Sequence, residues 1–197
     1  MKIAKLNPKK PDWNIIDEAI GVLSSGGVIL YPTDTIYGLG ANIFNEKAVE
    51  KVYDIKNRDY FKPLSVCVSS IEAAQLITEI PSKYNDLFLK HLPGPFTFIL
   101  NESPSLHINF AKNHKIGIRI PGNDIARSLS QIFPITSTSA NLAGKKTLDT
   151  PKKIIKQLNA DVDYILDVGS LKSDFASTVV DLTRKKPEIL RQGLGIL

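Results

Sequence analysis

Apolar residues recur at three- and four-residue spacing over Ile15, Ile16, Ala19, Ile20 and Leu23, behind Asp12 and ahead of Ser24-Ser25-Gly26-Gly27. That period lays them on one stripe of a helix, with Asp12 as a cap acceptor and the glycine pair as its end. The same reasoning predicts helices opened by Asn45-Glu46 and closing near Lys56-Asn57-Arg58, by Ser70 through Leu76, and by Pro81-Ser82 to about Leu92. Two more open at Asn123, reaching Ile132, and at Thr150-Pro151, reaching about Leu158. Short apolar runs over 28–31, 64–68, 96–100, 116–120, 134–138, 164–166, 178–182 and 189–191 read as strands, and the polar 101–115 stretch as a loop. Strands and helices interleave without strict alternation. The expected fold is α/β, a twisted open mixed sheet with flanking helices, in a single domain over residues 1–197.

Composition narrows the chemistry. The 197 residues carry 43% hydrophobic and 23% charged side chains, ordinary globular usage that argues against disorder and fibrous repeats. One Cys cannot form an internal disulfide, and three His residues are too few for a built-in zinc site, so no protein-held metal is expected. No apolar run approaches the ~18 residues of a membrane span, and a reducing, cytoplasmic setting with no membrane partner is expected. Lys and Arg number 25 against 20 Asp and Glu, for a net charge of +5, which suits nucleotides, phosphates or RNA, or equally scattered solubilising lysines.

Four polar clusters sit where strands or helices end, the usual place for ligand sites in α/β folds. Thr33-Asp34-Thr35 with Gly38 and Gly40 reads either as a hydroxyl-capped turn or as a small polar pocket. Lys56 and Arg58 read either as compensation of a helix dipole or as a phosphate clamp. Thr136-Ser137-Thr138-Ser139 and Asn141 place four consecutive hydroxyls on an element that should be buried, each of which needs a backbone or ligand partner. Arg119 and Arg191, on apolar strands, must pair with an acid or face a cavity. A Walker-type P-loop, a full dinucleotide fingerprint, the H-E-x-x-H motif and the G-x-S-x-G elbow are all missing. Cys67, inside an apolar strand pattern, reads as core rather than nucleophile.

In order and together, the blocks YPTDTIYGLG, the K-x-R of Lys56 and Arg58, PGPFTFIL, IGIRIP, the S-x-N of Ser139 and Asn141, STVVD and RQG resemble the YrdC/TsaC family of L-threonylcarbamoyl-AMP synthases, in its short single-domain form. The resemblance implies a YrdC/RibB-like twisted sheet with a basic concave cavity. It also implies a reaction in which ATP, L-threonine and bicarbonate or CO2 give threonylcarbamoyl-AMP and pyrophosphate, for modification of a tRNA adenosine next to the anticodon by a downstream transferase. Lys56 and Arg58 would be the catalytic cations on the phosphates, with Mg2+ sharing the charge. Ser139, Asn141, Arg191 and Thr147 would bind the nucleotide, and Thr33, Arg119 and Ser137 the threonine. Such chemistry rests on positioning and cationic stabilisation, so scarce His and Cys are no obstacle. Cys67 stands where many relatives have His, and Lys115 where they often have Thr. The competing readings are a YciO-like paralogue without synthase activity and a double-stranded RNA or tRNA-binding module using the basic excess. A hydrolase lacks a nucleophile and base pair.

Overall fold

A computed structural model of the protein describes residues 1–62, 64–106, 114–171, 173 and 175–197. The described chain runs β1 (Lys2–Lys5), α1 (Trp13–Ser24), β2 (Ile29–Tyr31), β3 (Gly38–Gly40), α2 (Glu46–Lys56), β4 (Ser65–Cys67), α3 (Ile71–Gln75) and β5 (Thr78–Glu79). After a 3-10 turn (Ser82–Tyr84) come α4 (Asn85–His91), β6 (Phe96–Glu102), β7 (Lys115–Arg119), α5 (Asp124–Leu129), β8 (Ile135–Thr136) and β9 (Thr138–Ser139). The last elements are α6 (Pro151–Leu158), β10 (Tyr164–Asp167), β11 (Thr178–Asp181) and β12 (Glu188–Arg191).

The helices start where capping chemistry places them. Asp12 accepts from the Asn14 amide at 3.0 Å, and Asn45 accepts from the Ala48 amide at 3.0 Å, each satisfying a donor that the first helical turn leaves free. At the far end of α2, Asn57 takes the left-handed conformation (φ 46°). Its amide donates to Asp54 O and that of Arg58 to Tyr53 O, both at 3.0 Å. This paired closure turns the chain sharply and sends Lys56 and Arg58 in different directions.

Two mixed sheets form where the pattern suggests one. The first runs β1-β10-β2-β3-β9; the second runs β12-β11-β6-β7-β4-β8, with β5 on β6. The reason lies in the stretch expected as one strand over 134–138, which changes sheets at Ser137. Thr136 stays in the second sheet opposite Val66, while Ser139 pairs with Gly38 in the first. The backbone is anchored on both sides of this switch: the Thr136 amide donates to Ala41 O at 2.8 Å and the Ser137 amide to Ser65 O at 2.6 Å.

Pairing also extends elements beyond their apolar runs. Asn101 sits opposite Lys115 at the open end of the β6–β7 ladder, so part of the expected loop is strand, and residues 107–113 of that loop lie outside the described residues. β1 carries a lysine at each end and joins parallel to β10, an edge position that the polar pattern did not announce. α5 stops at Leu129, short of the expected Ile132, because the Ser130 hydroxyl donates to Arg127 O at 3.0 Å and closes the turn.

The larger core cluster includes Val52, Val66, Phe88, Phe98, Ile118 and Val180, with the Phe88 and Phe98 rings 4.8 Å apart. The smaller packs α1 and α5 through Ile16, Leu23 and Leu129 against Ile29, Ile135 and Leu166. Gly38 and Gly40 belong to this packing. An added Cβ at Gly40 would lie 2.9 Å from Cε1 of the buried Tyr31 ring, so these glycines give an aromatic ring room against a strand.

Candidate active site

The sheet switch at Ser137 opens a cleft bordered by residues of both sheets, with a volume of about 580 Å³ including its mouth. Of the nine residues nominated from sequence, Thr33, Arg58, Arg119, Ser137, Ser139 and Arg191 line it. Lys56 and Asn141 stand behind its wall. Thr147 lies apart, in a surface hollow with Lys146, Asp149 and Lys153.

Arg119 is 5% exposed, at the end of β7. Its Nη2 donates to Asp34 Oδ1 and Thr35 Oγ1, both at 2.6 Å, and to Thr33 Oγ1 at 3.3 Å. The Thr33 hydroxyl donates to Ile36 O at 2.7 Å, as the turn reading expects, and the residue also lines the cleft. Arg119 Nε remains buried without a hydrogen-bond partner, as does Asp34 Oδ2. A buried guanidinium N–H without a partner is costly, as is a buried carboxylate oxygen without one.

Arg191 extends from β12 and folds its guanidinium onto Ser177, with Nη2 2.9 Å from Ser177 O. Ser177 shares a hydrogen bond of 2.7 Å with the hydroxyl of Thr97, whose position on β6 also faces the cleft. Burial, then the charge of Arg119, pulls the Arg191 pKa down. Arg58 reaches the cleft from the turn after α2, and its Nε donates to Lys62 O at 3.1 Å. Its pKa is lowered chiefly by burial. Three guanidinium groups thus border one cleft.

Lys56, expected with Arg58 as a cation on the phosphates, does not line the cleft. It is 2% exposed, and its Nζ donates to Ser139 O, to Asn141 O at 2.7 Å and, longer, to Asn141 Oδ1 at 3.5 Å. Burial, followed by the Arg58 charge, brings its pKa down to about 7. The Ser139 hydroxyl donates to Asn141 Oδ1, and Asn141 Nδ2 donates to Leu142 O at 3.0 Å and to Lys145 O. The S-x-N pattern therefore builds a self-bonded turn, with only Ser139 of the pair lining the cleft.

The hydroxyl run divides. Thr136 is consumed by backbone, donating to Leu39 O at 2.9 Å and accepting from the Ala41 amide at 3.0 Å, while Ser137, Thr138 and Ser139 face the cleft. Cys67 points into the smaller core cluster, with burial raising its thiol pKa to about 11, in agreement with the core reading. Lys115 lies in an adjoining hollow that also includes Arg58 and Arg191, where it donates to Thr183 Oγ1 at 2.7 Å and stands 3.7 Å from the buried Asp181. Sequence reasoning left Ser65, Thr97 and Ser177 off the site. Their signal was a lone hydroxyl at the start of, or within, an apolar strand run, the same oddity that singled out 136–139.

Chemically, the site offers guanidinium donors and hydroxyls. No carboxylate lines the cleft among the described residues, so it lacks the one or two acidic ligands that a protein-held Mg2+ requires. Among the described residues, no helix is long and apolar enough to cross a membrane.

The Sua5_yciO_yrdC family model, described as telomere recombination, matches residues 21–193. A Methanocaldococcus jannaschii protein provisionally named threonylcarbamoyl-AMP synthase is 39% identical, over 98% of this chain and 92% of its own length. The Pyrococcus abyssi threonylcarbamoyl-AMP synthase is 30% identical over 97% of this chain, which spans only 57% of that longer relative. The crystal structure of P. abyssi Sua5 complexed with L-threonine matches with a TM-score of 0.87 at 29% identity, over 98% of this chain and 58% of that one. Escherichia coli YciO matches with a TM-score of 0.91 at 30% identity, over 100% of this chain and 98% of its own. With the expected mixed α/β architecture in place and the family model spanning most of its length, the chain belongs to the Sua5/YciO/YrdC family.

Proposed function

We propose that the protein is an L-threonylcarbamoyl-AMP synthase, a nucleotidyltransferase that joins ATP, L-threonine and CO2 or bicarbonate. The threonine amine forms a C–N bond to CO2 and loses a proton. A carbamate oxygen then attacks the α-phosphorus, and the bond to the β-phosphate oxygen breaks, releasing pyrophosphate. Bicarbonate enters this sequence by taking up a proton, such as the one the amine loses, and giving CO2 and water.

The observation that carries the reading is the Arg119 guanidinium, held beside Thr33 in the wall of a cleft that Arg58 and Arg191 also line. It suits a ligand carboxylate, with Thr33 and Ser137 as neighbouring hydroxyl contacts. Arg58 and Arg191 hold the phosphates and stabilise charge on the departing pyrophosphate, while Lys56 braces the 139–141 turn from behind. Ser139 and Asn141 shape the nucleotide end, and Thr147, in its own separate hollow, takes no part in this assignment. ATP enters as the magnesium complex. The mixed anhydride product is short-lived in water, which calls for a transferase that passes threonylcarbamoyl to tRNA in the same compartment, the cytoplasm.

The likeness to E. coli YciO supports a second reading, a family member with the same fold and another activity. Pyrophosphate release from ATP decides between them. In a synthase it requires L-threonine and bicarbonate together, and release indifferent to threonine overturns the proposal. RNA affinity with no thermal shift from ATP would instead mark an RNA-binding module.

A further inference from the structure

The Nζ of Lys56 makes all of its hydrogen bonds to one short segment. Its acceptors are Ser139 O, Asn141 O and Asn141 Oδ1, none of them a carboxylate. The main chain of the same residue grips the segment again, with Lys56 O accepting from the Ala143 amide at 2.9 Å. A buried ammonium without a counterion is expensive, so this arrangement persists only where the contacts return something the fold uses. What they return is a fixed turn. Asn141 spends its amide on Leu142 O and Lys145 O, which leaves Lys56 as the cation that ties the 139–141 carbonyls to the end of α2.

Reaching the cleft would require Nζ to release all three oxygens and cross the wall that Ser139 forms. The left-handed cap at Asn57 separates this residue from its neighbour: Arg58 lines the cleft, whereas Lys56 points beneath it. We propose that Lys56 is a positioning residue, which holds the 139–141 turn in its ligand-accepting form from behind and does not contact phosphate. This deepens the synthase reading and relies on it only for the nucleotide measurement below.

Lys56→Met removes the tether. In the ligand-free protein, hydrogen exchange at the amides of Ala140, Asn141 and Ala143 should accelerate at least about tenfold, while those of α1 keep their rates. AMP and ATP should both weaken by the same factor, about tenfold, as for the loss of one charge-assisted hydrogen bond. Arg58→Ala should do the reverse, weakening ATP more than AMP and leaving exchange in the turn unchanged. Unchanged exchange in Lys56→Met, or a loss of affinity that grows from AMP to ATP, overturns the proposal. Failure of the wild type to bind either nucleotide would count against the synthase reading, and the exchange rates would still judge the tether. If Lys56→Met does not fold, scalar couplings in the wild type between the Lys56 ammonium nitrogen and the carbonyl carbons of Ser139 and Asn141 serve instead. They should persist when ATP is added, and their replacement by a coupling to phosphorus overturns the proposal.

Discussion

Asp34 Oδ1 accepts from Arg119 Nη2 at 2.6 Å, and each of these two side chains keeps one further buried polar atom, Asp34 Oδ2 and Arg119 Nε, without a partner. The pair is nearly out of solvent, with side-chain exposures of 13% and 6%. Such a pair stabilises little compared with apolar packing, yet breaking it is severe, because the remaining charge stays buried. Its value here is orientation, since the aspartate fixes the guanidinium in the cleft wall.

Arg119→Ala should therefore cost about 3–5 kcal/mol of stability, because it strands the Asp34 carboxylate. The double change Arg119→Met with Asp34→Asn should recover much of that loss while remaining unable to bind threonine. Urea unfolding of the single and double variants, with threonine titrations on each, checks both statements.

Arg58 is only partly buried, so Arg58→Ala should leave the unfolding midpoint almost unchanged. Turnover should fall by at least about 100-fold, the scale seen when a donor aimed at developing charge is removed. Steady-state pyrophosphate release beside a thermal melt separates loss of charge from loss of fold.

Lys56, with its pKa lowered to about 7 by burial and by Arg58, links stability to pH. Above that value the folded protein holds the neutral amine while the unfolded chain keeps the proton up to its ordinary lysine range. The unfolded state thus binds more protons, and this residue's contribution to stability rises with pH from about 7 towards 10, with a limiting slope of about 1.4 kcal/mol per pH unit. The difference in unfolding free energy between wild type and Lys56→Met, measured at pH 6, 7.5 and 9, should carry that slope. A pH-independent difference refutes it.

Cys67 is fully buried, with its thiol pKa pushed up to about 11 by burial. An aromatic disulfide reagent should modify it only at the rate of unfolding, at least about 100-fold slower than in denaturant. Rapid modification of the native protein would show that the thiol reaches the surface.

Gly193 closes the site from behind Arg191. A Cβ there would lie 2.2 Å from Ala176 O and 2.5 Å from Ser177 O, and its amide donates to Thr178 Oγ1 at 3.0 Å. Gly193→Ala should cost about 1–3 kcal/mol and, by pushing Ser177 away, weaken nucleotide binding through Arg191. Melting temperature and ATP affinity should fall together.

Much of the fold was legible before any coordinates. The caps at Asp12, Asn45, Ser70 and Asn123 all accept from amides where the helices begin, because capping is local chemistry within three residues. The strands were legible wherever apolar side chains marked them. β1 and β3 were not, since two lysines and two glycines carry no apolar run, and their extended form is fixed by pairing with β10 for β1 and with β2 and the distant β9 for β3. The candidate site divides in the same way. Thr33, Arg58, Arg119, Ser137, Ser139 and Arg191 could be named from residue type and order, whereas Ser177 and Thr97 join them only through the 2.7 Å contact of β6 with the start of β11.

By itself, then, the sequence determined the capped helix starts, the apolar strands, the family and the residue types that gather at one cleft, because each depends on local spacing or ordered motifs. Only the tertiary structure decided that one strand would change sheets at Ser137, that Arg58 and its neighbour Lys56 would part at Asn57, and that Lys56 would be buried against carbonyls. Those outcomes depend on which distant backbone oxygens and amides come within hydrogen-bonding reach, and a linear pattern of residue types carries no measure of that distance.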